Sequence, residues 1–181
     1  MIRGIYLKTY SIHAFLLAFI FCGAIIGETV SQSLIVASLG SSVLSRLYLI
    51  NGVLLLGLPL LFFTRIDKTD RGRLLSRQLF YTIAILSIAL VLIFISSTYK
   101  LKWAKVFLAV LYPVSYLSKT ILFLTFWTFA NDLFSTSESK KVFPAIAAWG
   151  FGGGLAGACL ARLLVTFSSA ETLIILWILS Y

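Results

Sequence analysis

Charged residues are scarce in this sequence, and so are the side chains that most often carry out catalysis. Only 12% of its 181 residues are Asp, Glu, Lys or Arg, and the chain has one histidine and two cysteines. Hydrophobic residues make up 60% of it, and a soluble domain of this size would not expose so much apolar surface. The composition therefore predicts an integral membrane protein with several helices, whose partner is the lipid bilayer.

The few potential catalytic or ligating residues form no recognisable constellation. The acids in or beside apolar segments, Glu28, Asp132 and Glu171, are expected at different depths and cannot act as a close pair. The two cysteines, Cys22 and Cys159, both lie in apolar runs and indicate neither a disulfide framework nor a metal site. We therefore expect no enzymatic activity, no metal and no cofactor.

Basic residues outnumber acidic ones by 15 to 6, but their placement does not indicate a nucleic-acid partner. They cluster in short loops between apolar runs, as topology signals do. With the N-terminus inside, nine fall in cytoplasmic segments and four in outer ones. The nine are Arg3, Lys8, Arg65, Lys68, Arg71, Arg73, Arg77, Lys140 and Lys141, and the four are Arg46, Lys100, Lys102 and Lys105. This bias predicts a cytoplasmic N-terminus, and we expect the bacterial cytoplasmic membrane as the location.

A secretory signal is the alternative interpretation of the N-terminal segment, because Arg3 and Lys8 precede the apolar run 14–21 and Cys22 follows it. A cleavage or lipid-attachment site needs a small residue just before it, and Phe21 is bulky. The apolar run also continues past Cys22. We therefore interpret this segment as the first transmembrane helix.

Six apolar runs predict an all-α, polytopic membrane helix bundle. The expected helices are about 11–39, 44–63, 78–97, 104–130, 142–167 and 171–181. The last run has only about half of the roughly twenty residues that cross a bilayer. We expect five complete helices and part of a sixth, and a C-terminal half of the same chain as a further partner.

Two charges are predicted to lie within the membrane, where ionisable groups cost roughly 2.5–3.5 kcal/mol on insertion scales. Lys119 comes about 16 Å from the inner end of helix 4, and Glu28 about 24 Å along helix 1 from the same side, at 1.5 Å per residue. The remaining gap of about 8 Å is within reach of a lysine side chain. Gln32 shares a face with Glu28, and Tyr112 and Tyr116 share one with Lys119.

Three interpretations of Lys119 remain open from the residues alone. The first is an anion-coordinating lysine at a substrate site, the second a structural ion pair with Glu28 that fixes helix packing, and the third a snorkelling side chain. The first makes candidate substrate-binding residues of Lys119, Glu28, Gln32, Tyr116 and Tyr112.

Glycines crowd the fifth apolar run. Gly152, Gly154 and Gly157 match the dinucleotide pattern G-x-G-x-x-G, which indicates phosphate binding only after a β-strand within a βαβ unit. Here the pattern falls inside a predicted helix. Small residues four apart, such as Gly150 with Gly154 and Gly153 with Gly157, instead favour close helix packing in lipid.

The loop between helices 2 and 3 carries a second pattern. Its Asp70-Arg71-Gly72-Arg73 resembles, one residue short, the D-R-x-G-R type signature of the major facilitator superfamily. The resemblance implies the N-terminal half of such a transporter, in which Arg71 and Arg73 contact helix ends on the inner face and help to hold one state of the transport cycle. A plain topology signal is the alternative.

A narrower resemblance lies in the segments F-W-T-F-A-N (126–131) and E-S-K-K-V-F-P (138–144), followed by the glycine-rich helix. They are similar to the ATP/ADP translocase (nucleotide transporter) family of bacteria and plastids, whose loop reads like E-A-K-R-F-Y-P. The segment 33–36 also resembles that family's helix 1 motif, K-D-T-L-V-V. The family's lysine, implicated in nucleotide transport, would fall at Ser31 and its aspartate at Gln32, so ATP/ADP exchange and transport of another substrate both stay open.

The sequence thus predicts a secondary transporter that works by alternating access, with helices 1 and 4 lining the cavity, as the resemblance implies. Its expected substrate is a small anionic solute, such as a nucleotide. The alternative is a non-transporting membrane module that anchors or regulates a cytosolic domain.

Overall fold

The computed structural model describes residues 2–66, 69–99, 104–167 and 170–181, and these residues form six α-helices and no strand. The helices are α1 (Ile2–Leu39), α2 (Ser41–Ile66), α3 (Arg71–Tyr99), α4 (Ala104–Leu133), α5 (Thr136–Phe167) and α6 (Ala170–Leu179). Four of them contain stretches long and apolar enough to cross a membrane, namely Tyr10–Ala37, Arg71–Ile95, Ala109–Leu133 and Thr136–Leu163. The predicted all-α membrane helix bundle is confirmed.

Some residues used in the sequence argument fall outside this description. Lys68, Lys100 and Lys102 are not among the described residues, and the side chains of Arg3, Lys8, Arg65, Lys105 and Glu171 are not described either. The predicted orientation of the chain in the membrane stays a prediction.

The helices extend beyond the apolar runs into polar sequence, most clearly at α5. This helix begins at Thr136, whereas the hydropathy pattern places its start near residue 142. Ser135 explains the difference, because its backbone N–H and its hydroxyl donate to the Glu138 carboxylate at 2.9 and 2.6 Å. The bond from the Ser135 N–H to the Glu138 carboxylate is one half of a capping box, and it stabilises the helix start. The expected polar loop 131–141 is therefore mostly helical.

Two short connections set the directions of the first three helices. Gly40 alone separates α1 from α2, and its φ of 85° is a left-handed conformation that glycine adopts without strain. Asp70 lies just before α3, and its Oδ1 accepts a hydrogen bond from the Arg73 backbone N–H at 3.1 Å. Asp70 is thus the N-cap of α3.

α1 is the central helix and packs against α2, α4, α5 and α6, while α3 packs against α4 and α6. α1 and α4 run antiparallel, because His13 contacts Phe129 near one end of the pair and Ser31 contacts Ser115 nearer the other. α1 and α5 run parallel, since Gly153 lies against Ala18 and Gly157 against Cys22. Each helix therefore reverses the direction of the one before it, as in a chain that repeatedly crosses a bilayer.

The buried side chains form three clusters stacked along α1. The first includes Leu17, Phe126 and Ile146, the second Val30, Leu86 and Trp177, and the third Ile35, Leu47 and Tyr112. His13, which the sequence suggests at the membrane edge, is buried against the rings of Phe129 and Phe134, with centroids 5.5 and 5.8 Å away. Large apolar side chains such as those of Phe80, Ile88 and Phe94 are exposed along α3, as expected for a lipid-facing helix.

Candidate functional site

The predicted pair of charges within the bundle is formed. Lys119 Nζ of α4 donates to Glu28 Oε2 of α1 at 2.8 Å, and both side chains keep part of their surface accessible, 32% and 24% respectively. Glu28 lies nine residues before the Ala37 end of the span Tyr10–Ala37, and Lys119 lies ten residues after Ala109, which is at the same end of the bundle. At 1.5 Å per residue both are about 14–15 Å from that end, close to the middle of a 30 Å hydrocarbon layer.

Tyrosines extend from this ion pair towards the α1–α2 turn. The Tyr116 ring lies 5.4 Å from Lys119 Nζ, a distance suited to a cation–π contact. Tyr112 is fully buried, with its ring centroid 5.9 Å from Tyr116 and 5.7 Å from Tyr48 of α2. The polar face that the sequence predicts on α4, with Tyr112, Tyr116 and Lys119, is therefore extended by Tyr48 of α2.

Gln32 lies between α1 and α2 rather than on the ion pair itself. Its Nε2 donates a long hydrogen bond of 3.4 Å to the Tyr48 hydroxyl. The buried Tyr112 hydroxyl is close to both groups but makes no hydrogen bond of good geometry to either. Gln32, Tyr48 and Tyr112 thus form a loosely bonded polar group one helical turn from Glu28, able to rearrange around a ligand or a water molecule.

The structure adds a serine bridge that the sequence argument did not identify. The hydroxyls of Ser31 and Ser115 are buried and lie 3.2 Å apart, within reach of the carbonyls of Gly27 at 2.7 Å and Tyr112 at 2.8 Å. Each hydroxyl has one proton, so when one donates across the contact the other donates to the carbonyl of its own helix. Serines at such positions let two helix backbones approach and then bond across the contact. The bridge fixes α1 against α4 one turn from the Glu28–Lys119 pair.

Asn51 is the second residue that sequence reasoning missed. Its side chain is 3% exposed, and neither amide atom has a hydrogen-bond partner. α2 and α4 run in the same direction, so one turn beyond the Tyr48–Tyr112 contact Asn51 comes to the level of Tyr116. The signal in the sequence was a single amide within the aliphatic run of α2.

A groove lined by α1 and α4 opens beside Lys119. It has a volume of about 280 Å³ and is lined by Ile20, Phe21, Ala24, Lys119, Thr120, Phe123 and Leu124. Lys119 supplies its charged end, and the other walls are almost entirely apolar. The site therefore combines a shaped apolar space with the Lys119 side chain at its edge, and Glu28 is the ion-pair partner of that lysine but not a lining residue.

The predicted conformational residues lie at the opposite end of α4. Arg71 Nη1 contacts Asp132 Oδ1 at 2.5 Å and the Thr128 carbonyl at 3.4 Å, so it joins the start of α3 to the last turns of α4. Arg73 is highly exposed, and its Nε lies 3.9 Å from Asp70 Oδ2 on its own side of the junction. The expected contact with a helix end is thus formed by Arg71, whereas Arg73 does not reach α4.

The glycines of α5 divide into two faces, as the packing interpretation predicts. A Cβ at Gly153 would overlap the Ala18 carbonyl, and one at Gly157 would lie 2.6 Å from the Cys22 carbonyl oxygen. Gly150 lies against the Leu17 side chain, Gly154 has room for a methyl group 3.6 Å from Ile25, and Gly152 has nothing within 4 Å. The G-x-G-x-x-G pattern lies within a continuous helix, which does not form a phosphate-binding turn.

Within the described residues, no three His, Cys, Asp or Glu side chains group in a way that could hold a metal ion. Comparison of the chain with family models, with curated proteins and with solved structures finds no match. The fold and the site define a membrane helix bundle with an ion pair near the middle of its spans.

Proposed function

We propose that this chain is part of a secondary membrane transporter that moves a small anionic solute by alternating access. The observation that supports the proposal is the partly exposed Glu28–Lys119 pair, set at mid-span beside a groove. Charged groups at that depth cost several kcal/mol when they face hydrocarbon, so such a surface borders water or protein instead. A water-filled cavity between helices is the arrangement that transporters use.

Lys119 is the residue proposed to bind the substrate. Its ammonium has three donors, and within the described part of the chain it contacts only the Glu28 carboxylate and the face of Tyr116. An anionic group of a solute in the groove can therefore share or replace the carboxylate. The hydroxyls of Tyr112 and Tyr116 and the amide of Gln32 are proposed to orient the rest of the solute through hydrogen bonds.

A nucleotide is the proposed solute, since the segments 126–131 and 138–144 resemble those of ATP/ADP translocases. The groove is lined by α1 and α4, the two helices that line the cavity in the proposed transporter class. Further helices of the same chain are proposed to form the other wall, in a major-facilitator-like arrangement. The Arg71–Asp132 pair is proposed to stabilise one state of the transport cycle at the cytoplasmic side of a bacterial inner membrane.

Uptake by proteoliposomes that contain the full-length protein tests this function. Labelled ATP is the first probe. We expect Lys119→Gln to reduce uptake to the level of empty vesicles and Lys119→Arg to retain part of it, because the charge persists while its geometry changes. Lys140→Gln is the matched control, since Lys140 is an exposed lysine at the start of α5. Full uptake by the Lys119→Gln protein would reject a binding role for this residue.

The second candidate function is a non-transporting membrane module. The observation that favours it is the direct 2.8 Å contact, in which each charge already has a counter-ion and no substrate is needed to balance it. In that case the pair only fixes α1 against α4. Neutralising both partners together, in Glu28→Gln with Lys119→Gln, would then restore stability, and labelled anions would not accumulate in vesicles with any variant.

A further inference from the structure

We propose that an anion bound at Lys119 makes Glu28 take up a proton, so that the anion and the proton occupy the site together. This inference rests on the proposed function and specifies what would drive it. The two partners of the pair are one cation and one carboxylate, 2.8 Å apart. The empty site is therefore neutral, and its charge balance changes when an anion enters.

The first step of the argument concerns the number of charges. A solute anion on Lys119 places a second negative group within a few ångströms of Glu28, whether it shares the ammonium or displaces the carboxylate. Two negative groups beside one cation leave a net charge of −1 in a region where an unbalanced charge is costly. One proton on the Glu28 carboxylate removes the extra negative charge and restores neutrality when the group on Lys119 is singly charged, and a more highly charged anion such as sulfate or ATP favours the same protonation more strongly.

The second step concerns what else could compensate Glu28. The titratable or charged side chains facing it are Lys119, Tyr112 and Tyr116 from α4 and Tyr48 from α2. From α6 the apolar ring of Trp177 packs one residue away, against Gly27. Arg162 of α5 comes to a similar level, but its side chain is exposed and forms no ion pair with Glu28 among the described residues.

Among these groups Lys119 is the only cation in contact with Glu28 in the part of the chain that the structure describes. When an anion binds the Lys119 ammonium, no second cation among the described residues takes its place beside Glu28. A proton from water is then the available source of positive charge. Gln32, one turn further along α1 and held only by a 3.4 Å hydrogen bond, is placed to bond the neutral acid.

The proton and the bond it forms balance over the resulting cycle. A proton forms the O–H bond of the Glu28 carboxylic acid as the anion joins the Lys119 ammonium, and on release the same bond breaks and the ion pair forms again. No electron transfer and no further reactant are needed. In the proposed alternating-access cycle the anion and the proton then cross the membrane together, which is proton-coupled symport.

The test is the pH dependence of anion binding to the purified full-length protein. Binding of ATP and of sulfate is measured by calorimetry between about pH 5 and pH 8.5, a range in which unperturbed lysine stays charged. Proton uptake on binding means that affinity falls as pH rises, by up to about tenfold per pH unit. Glu28→Gln should bind either anion with no such fall beyond the titration of the ATP phosphates, which the variant and the unmodified protein share.

An infrared difference spectrum of the protein with and without the anion provides a second measurement, which does not depend on the binding affinity. Addition of the anion should produce the carbonyl band of a protonated carboxylic acid, and Asp132→Asn should leave that band unchanged, because Asp132 lies at the far end of α4.

Each outcome separates the two proposals. Binding that depends on Lys119 but is independent of pH, or shows the same pH dependence in Glu28→Gln, overturns proton coupling and leaves anion transport in place. Absence of Lys119-dependent binding of both probes overturns anion transport and the coupling with it.

Discussion

Glu28 and Lys119 each lower the free-energy cost of placing the other's charge within the membrane. Removal of one leaves the second without a counter-ion, whereas removal of both leaves two neutral amides. The sequence predicted this pair because helix rise and insertion costs are nearly independent of context. It could not predict the Ser31–Ser115 bridge or the burial of Asn51, since both depend on how α1, α2 and α4 rotate about their axes.

A double-mutant cycle at the pair gives the residue-scale prediction. Glu28→Gln and Lys119→Gln should each lower stability by about 1–3 kcal/mol, between the values for exposed and fully buried pairs. The double variant should be more stable than the sum of the two losses implies, with a coupling energy above about 0.5 kcal/mol. Thermal unfolding in detergent is the measurement, and strictly additive losses would show that the two charges do not stabilise each other.

At the scale of helices, the parallel contact of α1 with α5 depends on backbone-to-backbone approach. The spacing of the glycines predicted that α5 packs closely against another helix but did not identify α1 as the partner, and the helical context excluded a nucleotide loop. The sequence did not indicate that α6 also lies against α1 through Trp177 on Gly27, because a single glycine in an apolar run has no distinctive pattern. α5 starts earlier than its apolar run because of the hydrogen bonds between Ser135 and Glu138, and a hydropathy pattern contains no information on such bonds.

Two neighbouring glycines provide a matched test of this packing. Gly153→Ala should destabilise the protein by about 1–3 kcal/mol or more, because its methyl group meets the Ala18 backbone, which cannot move aside. Gly152→Ala, one residue earlier in the same helix, should be neutral or stabilising by up to about 1 kcal/mol through helix propensity. Equal melting temperatures for the two variants would contradict the observed contact between α1 and α5.

For the whole molecule, alternating helix directions place the α1–α2 turn and the α4–α5 junction at opposite ends of the bundle. The fold class followed from composition alone. Most of the arrangement of the helices could not be predicted from the sequence. α1 packs against α2, α4, α5 and α6, and of these partners the sequence indicated α4 alone, through the Glu28–Lys119 pair. The orientation in the membrane depends on loop charges that act during insertion, and it is best measured directly.

Site-directed labelling tests that orientation. In a variant that lacks Cys22 and Cys159, a cysteine at Ser137 should react with an impermeant thiol reagent only from the cytoplasmic side. A cysteine at Ser42, an exposed position at the other end of the bundle, should react only from outside. Labelling of position 137 in intact cells would reverse the predicted topology, and labelling of both positions from one side would contradict alternating crossings.

The long sequence separation of the Glu28–Lys119 pair also affects biosynthesis. The two residues are 91 positions apart, so a ribosome adding about 5–20 residues per second makes Glu28 roughly 5–18 s before Lys119. During that interval α1 enters the insertion machinery with an acid whose partner has not been synthesised. We therefore expect α1 to form its contacts with α4 only after Lys119 has been synthesised. The central helix of the bundle is thus the first to be synthesised and among the last to complete its packing.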